Sequence, residues 1–174
     1  MRKSLIAGIL ICAGFVDLQA RASGADESGV REFIAQWNKA YTGMDALALA
    51  ALETPDFEMV DRFGHWIKPE FPGFNEKLWA LTFNDIYHGK PGPARQIEGI
   101  RFLAANVALV QARANHANGV TLDDGTHIPP FWEIDTYTLV KTSNGWRVSL
   151  LNIHNQIGPG TERPGERVPN GSEK

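Results

Sequence analysis

The sequence predicts an α+β domain in which a curved antiparallel sheet packs against about three N-terminal helices. Apolar residues recur at helical spacing in the first half of the chain, and alternating apolar and polar residues dominate the second half. The length of 174 residues suits one domain. Helices followed by a run of strands are typical of α+β proteins, in which the apolar helix faces are buried against one face of the sheet.

The first 22 residues have the pattern of a secretory signal peptide. Basic Arg2 and Lys3 precede an apolar run, and Ala20 and Ala22 form a small-residue cleavage pattern. The run is too short, and too soon followed by polar residues, to favour a membrane span. We therefore predict a secreted or periplasmic protein that has no membrane contact after cleavage; a retained N-terminal anchor is the alternative.

Cleavage after residue 22 would remove Cys12, the single cysteine of the chain, and with it any disulfide or thiol nucleophile. The net charge is −3, and the removed segment holds three basic residues and one acidic residue, so the mature chain would carry −5. Mild acidity without a basic block argues against nucleic acid as a partner. Residues 23–157 are predicted to form the domain, and the tail 158–174, rich in Gly, Pro and charge, is predicted to be disordered.

Two helices are predicted before the first strand. The first carries an apolar stripe at spacing i, i+3, i+4, i+7 and i+11, formed by Val30, Phe33, Ile34, Trp37 and Tyr41. Gly43 is predicted to stop this helix. Asp45 is predicted to be the N-cap of a short second helix, which Pro55 ends.

A third helix is predicted between the breakers KPEFPG and HGKPGP. One face of it would hold Phe74, Leu78, Leu81 and Asp85, with Trp79 and Phe83 beside that face. Alternation predicts strands at 56–62, 95–104, 106–117, 131–141 and 145–156. The TSNG sequence before the last strand predicts a hairpin turn, and residues 118–130, rich in turn signals, are a candidate lid loop.

Four stretches of the chain resemble the nuclear-transport-factor-2-like superfamily, and within it the SnoaL-like domains and ketosteroid isomerase. They are FIAQWNKAYTGMDALALAAL, PDFEMVDRFG, IRFLAANVALVQARA and YTLVKTSNGWRVSLLNIH, and the resemblance covers about residues 26–157. It implies a cone-shaped sheet with a pocket for a small hydrophobic molecule between sheet and helices. The superfamily includes isomerases, cyclases, dehydratases, hydrolases and non-catalytic binding domains, so the fold does not select a reaction.

Asp61 matches the position of the general base in ketosteroid isomerase. It alternates in phase with Phe57, Met59 and Phe63. It is therefore predicted to share a face with three large apolar side chains, which would raise the pKa of its carboxyl group. The alternative is an ion pair between Asp61 and an arginine: Arg62, Arg101 or Arg113.

Asp135 matches the protonated aspartic acid of the isomerase. Both sides of its strand are mixed in polarity, so periodicity leaves open whether Asp135 and Tyr137, or Trp132 on the other side, face the pocket. Trp37 stands near the place of the isomerase's oxyanion-hole tyrosine, and Tyr41 lies one turn further along the helix. The steroid isomerase set is therefore incomplete.

Histidines supply the remaining candidates. His154 alternates with Trp146 and would lie at the pocket rim if Trp146 is core; SnoaL-like relatives carry a pocket histidine late in this strand. Either His154 or His116 could pair with Asp61 as a base and its orienting group, and the alternative is a histidine hydrogen-bonded at the sheet edge. The predicted catalytic residues are Asp61, His154 and Asp135, and the predicted substrate-binding residues are Trp37, Tyr41, His65, Trp66, His116, Trp132 and Tyr137.

No cofactor and no metal are predicted. The histidines lack the spacing of a metal site, and the chain has no G-x-S-x-G, phosphate-loop or dinucleotide motif. Three functions stay open: cofactor-free acid/base chemistry of isomerase, cyclase or dehydratase type, non-catalytic periplasmic binding of a small molecule, and a homodimeric interaction module. A homodimer is the predicted assembly.

Overall fold

Three helices lie in the first half of the described part of the chain. The computed structural model describes residues 24–121 and 125–156, so the predicted signal peptide and the predicted disordered tail lie outside the described residues. The helices are α1 (Gly24–Thr42), α2 (Ala46–Ala50) and α3 (Phe74–Leu81), and α3 continues into a π-helical turn, Thr82–Ile86. Within the described part of the chain, no helix is both long and apolar enough to cross a membrane.

The described residues also form eight strands, six of them in one curved sheet. The strands are β1 (Glu53–Val60), β2 (Trp66–Ile67), β3 (Gln96–Ala104), β4 (Val107–His116), β5 (Val120–Thr121), β6 (His127–Ile128), β7 (Phe131–Thr142) and β8 (Gly145–Gln156). The order in the sheet is β2-β1-β8-β7-β4-β3, and β5 pairs with β6 inside the predicted loop. The predicted α+β fold is confirmed. The sheet is mixed rather than wholly antiparallel, because β1 and β8 run in the same direction.

The predicted end of the first helix and the predicted start of the second agree with the structure. α1 ends just before Gly43, and the Asp45 side chain accepts a hydrogen bond of 2.9 Å from the first turn of α2. The prediction that Pro55 ends the second helix is wrong, since Pro55 lies inside β1. A proline is tolerated there because the pairing of β1 with β8 shifts register between Glu53 and Glu58.

The buried side of α3 and of the π-helical turn carries Trp79 and Phe83. Leu81, on the face that its spacing shares with Phe74 and Leu78, is 47% exposed. The larger aromatic rings pack edge-on against α1, with a centroid distance of 5.6 Å both from Trp79 to Trp37 and from Phe83 to Tyr41. Aromatic area therefore decides the orientation of α3 against α1.

Aromatic side chains fill the interior between the helices and the sheet. Trp37 is fully buried and meets Tyr137 of β7 edge-on at a centroid distance of 5.5 Å. Trp79 closes the other side of Trp37. The space in which the sequence predicts a pocket is therefore occupied near α1.

A bulge in β8 reverses the alternation on which the prediction for His154 rests. Trp146 and Val148 are buried, but the register against β7 then shifts, and Leu151 and Ile153 are the next buried residues. His154 is consequently exposed on the outer face of the sheet. Its predicted position at the pocket rim on the Trp146 side is wrong because of this extra residue.

Candidate functional site

Five charged or titratable side chains form a buried cluster at one end of the sheet: Arg62, Arg95, His116, Glu133 and Asp135. We call it the buried charge cluster. Glu133 and Asp135 are fully buried on the inward face of β7, between Phe131 and Tyr137, so this face is the core face. Charges at such depth are stable only when they are paired and hydrogen-bonded.

Arg95 joins both carboxylates. Its Nε donates to Asp135 Oδ2 at 2.8 Å and its Nη2 to Glu133 Oε1 at 2.8 Å. The guanidinium carbon also lies 3.6 Å from the centre of the Tyr41 ring, a cation–π contact. The backbone of Arg95 exchanges two hydrogen bonds of 2.8 Å with the Asn38 side chain. Arg95 therefore fixes the start of β3 to α1 and to β7 together.

Arg62 approaches the cluster from the end of β1. Its Nη2 donates to Glu133 Oε2 at 2.9 Å, and its guanidinium lies 5.8 Å from the centre of the Phe131 ring. Each oxygen of Glu133 thus faces an arginine. At the end of β1 it is Arg62, and not Asp61, that reaches the interior.

Asp61 instead organises the turn that follows β1. Its Oδ1 accepts hydrogen bonds of 2.9 Å from the backbone N–H groups of Phe63 and His65, and its Oδ2 lies 2.9 Å from His65 Nδ1. The chain leaves β1 after Val60, so the alternation that would place Asp61 among apolar side chains stops there. Phe63 is 57% exposed, and the predicted apolar face around Asp61 is not formed.

His116, the last residue of β4, lies between two aromatic rings. It stacks on Phe131 at a centroid distance of 4.4 Å and on Tyr87 at 6.2 Å. Its Nε2 lies 3.5 Å from Glu133 Oε2, which is longer than a good hydrogen bond. The carboxylate partner of His116 is therefore Glu133, whereas the sequence predicts Asp61.

The two carboxyl groups of the cluster differ in proton affinity. Burial opposes the ionisation of Glu133, but His116 and the guanidinium groups of Arg95 and Arg62 together lower its pKa. Burial, and then the negative charge of Glu133, raises the pKa of Asp135 to about 6 against the effect of Arg95. Glu133 is therefore the permanent anion, and Asp135 is the carboxyl group that binds a proton first.

A cleft of about 420 Å³ opens beside this cluster. Tyr87, His88, Lys90 and His116 line it, together with the turn between β4 and β5. None of its described lining residues is acidic. Because Asn115, Asn118 and Thr121 also line it, its character is mixed rather than purely apolar.

Solved structures share this architecture. An uncharacterized protein with a cystatin-like fold from Caulobacter vibrioides superposes with a TM-score of 0.65 at 16% identity, over 78% of this chain and 92% of that one. A ketosteroid isomerase-like protein from Erwinia carotovora atroseptica gives 0.61 at 15%, over 76% and 96%. An NTF2-like protein of unknown function from Shewanella baltica gives 0.54 at 15%, over 79% and 98%. This chain has the NTF2-like fold.

The predicted fold resemblance is thereby confirmed. No protein-family model and no curated protein sequence matches the chain. At identities of 15–16% the likeness concerns the NTF2-like fold and no reaction. The site must be argued from its own geometry.

Within the NTF2-like fold, several predicted site residues do lie together. Asp135 accepts a hydrogen bond of 3.0 Å from the Tyr137 hydroxyl group, and Tyr41 donates to the Tyr87 hydroxyl group at 2.7 Å. Tyr41 also lies under Arg95. Four predicted residues are therefore in the buried charge cluster or in contact with it: Asp135, Tyr137, Tyr41 and His116.

The other predicted residues lie elsewhere in the NTF2-like fold. Trp37 is core, and Trp132 is half-buried beneath Arg113 at 4.6 Å. Trp66 is 63% exposed and donates to Glu58 at 2.8 Å. The structure does not bring the predicted catalytic set together, since its members occupy a turn, the core and the outer face of the sheet: Asp61, Asp135 and His154.

Sequence reasoning missed three members of the cluster. Glu133 lies two residues before Asp135 and therefore on the same face of the strand. This spacing is a signal in the sequence that the two carboxylates lie together. Arg62 and Arg95 lie outside the strands, in a turn and just before β3, where periodicity says nothing about burial. Only the fold shows that these two arginines neutralise the carboxylates of β7.

Proposed function

We propose that this chain binds a small molecule in the cleft beside the buried charge cluster and performs acid/base chemistry there without a cofactor. His116 is the proposed proton carrier. The observation that supports this choice is the position of His116, which lines the cleft and has Glu133 beside its Nε2. This assignment replaces the predicted base, Asp61, and the assisting histidine, His154.

The surroundings of His116 suit a general acid or base. A buried carboxylate beside one imidazole nitrogen orients the ring. Glu133 can act in this way because Arg62 and Arg95 keep it ionised. Stacking on Phe131 and Tyr87 restricts the ring plane, so the other nitrogen has a defined direction. The separation of 3.5 Å from Glu133 leaves room for this contact to tighten when a ligand binds.

The lining of the cleft indicates the kind of ligand. Tyr87 and Val120 offer apolar contact, whereas Lys90 and the histidines favour a carbonyl, enolate or carboxylate group over a cation. We therefore propose a small molecule with an apolar body and one electron-rich oxygen. The sequence predicts a small hydrophobic ligand, and this proposal adds one electron-rich oxygen atom to that description.

The test is proton exchange at a carbon acid. Small enolisable ketones are incubated with the protein in D₂O, and deuterium uptake at the α-carbon is followed by NMR. We expect exchange above the buffer rate, a loss of about 100-fold or more in His116→Gln, and an unchanged rate in the control His154→Gln on the outer face. Exchange that is equal in the wild-type protein and His116→Gln would contradict the proposal.

The neutralisation of the buried charge cluster favours a second function, the binding of a small molecule without catalysis. Arginine side chains form ion pairs with both Glu133 and Asp135. Such ion pairs are also expected of a cluster that only stabilises the fold around a binding cleft. In that case a ligand would be retained unchanged. Native mass spectrometry of the purified protein would show a bound small molecule, and no ketone would exchange.

Location and assembly belong to the same proposal. We propose export on the basis of residues 1–22, and a homodimer. N-terminal sequencing of the exported protein and its sedimentation velocity would test the two. An intact residue 1 in the exported fraction would contradict processing, and a monomeric mass would contradict the dimer.

A further inference from the structure

A second cleft, of about 360 Å³, lies at the other end of β1. It is bounded by the first residues of β1, the proline-rich segment 69–73 and the first turn of α3, and it shares no lining residue with the cleft at His116. Among its lining residues are Glu53, Thr54 and Asn75, which the proposed chemistry at His116 does not use.

Three buried oxygen atoms of this cleft have no hydrogen-bond partner among the described residues: Glu53 Oε2, Thr54 Oγ1 and Asn75 Oδ1. Glu53 is 7% exposed and Thr54 is 8% exposed. The other oxygen of Glu53 accepts a hydrogen bond of 2.6 Å from Trp79 Nε1, which fixes the carboxyl group in place. Buried polar groups are nearly always paired, so three unpaired acceptors around one cleft indicate an absent donor.

The charge and shape of the cleft indicate what that donor is. Two of its lining residues, Glu53 and Glu76, are acidic, and none of its described lining residues is basic. Phe71 and Phe74 meet edge-on at a centroid distance of 5.3 Å on its wall, and prolines form much of the remainder. Carboxyl oxygens together with aromatic rings attract an organic cation.

We propose that this cleft binds a small primary amine in its ammonium form, whose N–H groups bond to Glu53, Thr54 and Asn75 and whose carbon body contacts Phe71 and Phe74. Glu53 is the acceptor that gives the site its charge preference. A quaternary ammonium lacks N–H donors and leaves the three oxygens unpaired. A carboxylate is repelled by Glu76 and, above about pH 8, by ionised Glu53 as well.

Proton linkage follows from the burial of Glu53. Burial raises the pKa of its carboxyl group to about 8, against the hydrogen bond from Trp79. Before ligand binding, the Glu53 carboxyl group is therefore largely protonated at neutral pH, and an ammonium ion must displace that proton. Binding should tighten as the pH rises from about 6.5 to about 8.5, a range in which benzylammonium stays charged.

Benzylammonium is the probe, titrated into the full chain by calorimetry and by ¹H–¹⁵N NMR. Benzyl alcohol, benzoate and benzyltrimethylammonium are the comparison compounds. We expect benzylammonium to bind and to release protons, measured as a heat that depends on the buffer. The variant Glu53→Gln should bind about tenfold more weakly. The matched control Glu58→Gln, also on β1 but outside the cleft, should bind as the wild-type protein does.

Absence of shifts at Thr54 and Asn75 with benzylammonium would overturn the proposal. Equal affinity of wild-type protein and Glu53→Gln, or of the primary and quaternary ammonium probes, would overturn it too. If Glu53→Gln does not fold, Thr54→Val serves instead, and it should weaken binding. The variant His116→Gln should leave amine binding unchanged, so this result does not depend on the chemistry at the first cleft.

Discussion

Glu133 and Asp135 lie on one face of β7 and share Arg95, yet they respond to protons in opposite ways. Glu133 faces two arginines and His116, so its charged form is stabilised. Asp135 faces Arg95 and the Tyr137 hydroxyl group, and its Oδ1 has no partner among the described residues. Glu133 has Arg62 and His116 beside it in addition to Arg95, and its negative charge in turn raises the pKa of Asp135, which burial already raises.

The separation can be measured by ¹³C NMR of the side-chain carboxyl carbons. We expect the Asp135 resonance to titrate near pH 6 and Glu133 to remain ionised down to about pH 2. Folding raises the pKa of Asp135. The contribution of Asp135 to stability is therefore complete below its pKa in the unfolded chain and is lost as the pH rises through about 6. Folding lowers the pKa of Glu133. Its contribution to stability is therefore present above its pKa in the unfolded chain and is lost in acid. A Glu133 midpoint above that of Asp135 would contradict this assignment.

Glu53 gives a second prediction for a single residue. Its pKa is raised from 4.5 to about 8, so its stabilising neutral form is fully present in the folded state below about pH 4.5 and is lost as the pH rises through 8. The variant Glu53→Gln keeps an oxygen for Trp79 and cannot ionise. We expect it to raise the free energy of unfolding by about 2–4 kcal/mol at pH 8 and to change it little at pH 4. Urea unfolding at both pH values is the measurement, with Glu58→Gln as the control.

A variant Glu53→Gln that is less stable than the wild-type protein at pH 8 would contradict this prediction. The free-energy cost of burying the Glu53 charge would then be smaller than the stabilisation from its hydrogen bonds. A shift of equal size in Glu58→Gln would mean that the effect is one of net charge.

At the scale of elements, the segment between the π-helical turn and β3 has to pass very close to α1. Gly92 lies in this segment, against the rings of Tyr41 and Tyr87, and Arg95 then bonds to Asn38 of α1. Pro91 and Pro93, on either side of Gly92, line the first cleft. A tight passage of backbone over aromatic rings therefore positions both Arg95 and the cleft wall.

Gly92→Ala tests that passage. A Cβ atom at residue 92 would lie 2.4 Å from Tyr41 Cε1, so the Tyr41 ring or the segment must move. We expect a loss of about 1–3 kcal/mol in the free energy of unfolding. The control is Gly99→Ala in β3, where a Cβ atom meets nothing within 4 Å. Thermal unfolding of both variants decides: equal midpoints would show that the passage has room.

At the scale of the whole molecule, periodicity was sufficient for most elements. The stripe on α1, the Asp45 cap and the hairpin before β8 depend on local spacing, and the structure has each of them. The position of His154 depends on a bulge, and one extra residue reverses every later side chain in a strand. No spacing rule in the sequence reports that residue.

The candidate site was less accessible to sequence reasoning than the fold. Its pairs join distant segments: Arg62 to Glu133, and Arg95 to Asp135. Their formation depends on how α1, β1 and β7 are packed, and an arginine in a turn has the same local signature whether it is buried or exposed. Asp61 shows the converse, because a carboxylate in phase with apolar residues became the cap of a turn.

The parallel pairing of β1 with β8 has a consequence for the order of assembly. Val60 lies beside Asn152, about ninety residues later in the chain. During synthesis β1 therefore emerges from the ribosome long before its neighbour exists, and contacts of such long range slow folding. Until β8 emerges, the two-residue strand β2 is the one neighbour of β1 among the described strands that has already been made, so most of β1 has no strand to pair with.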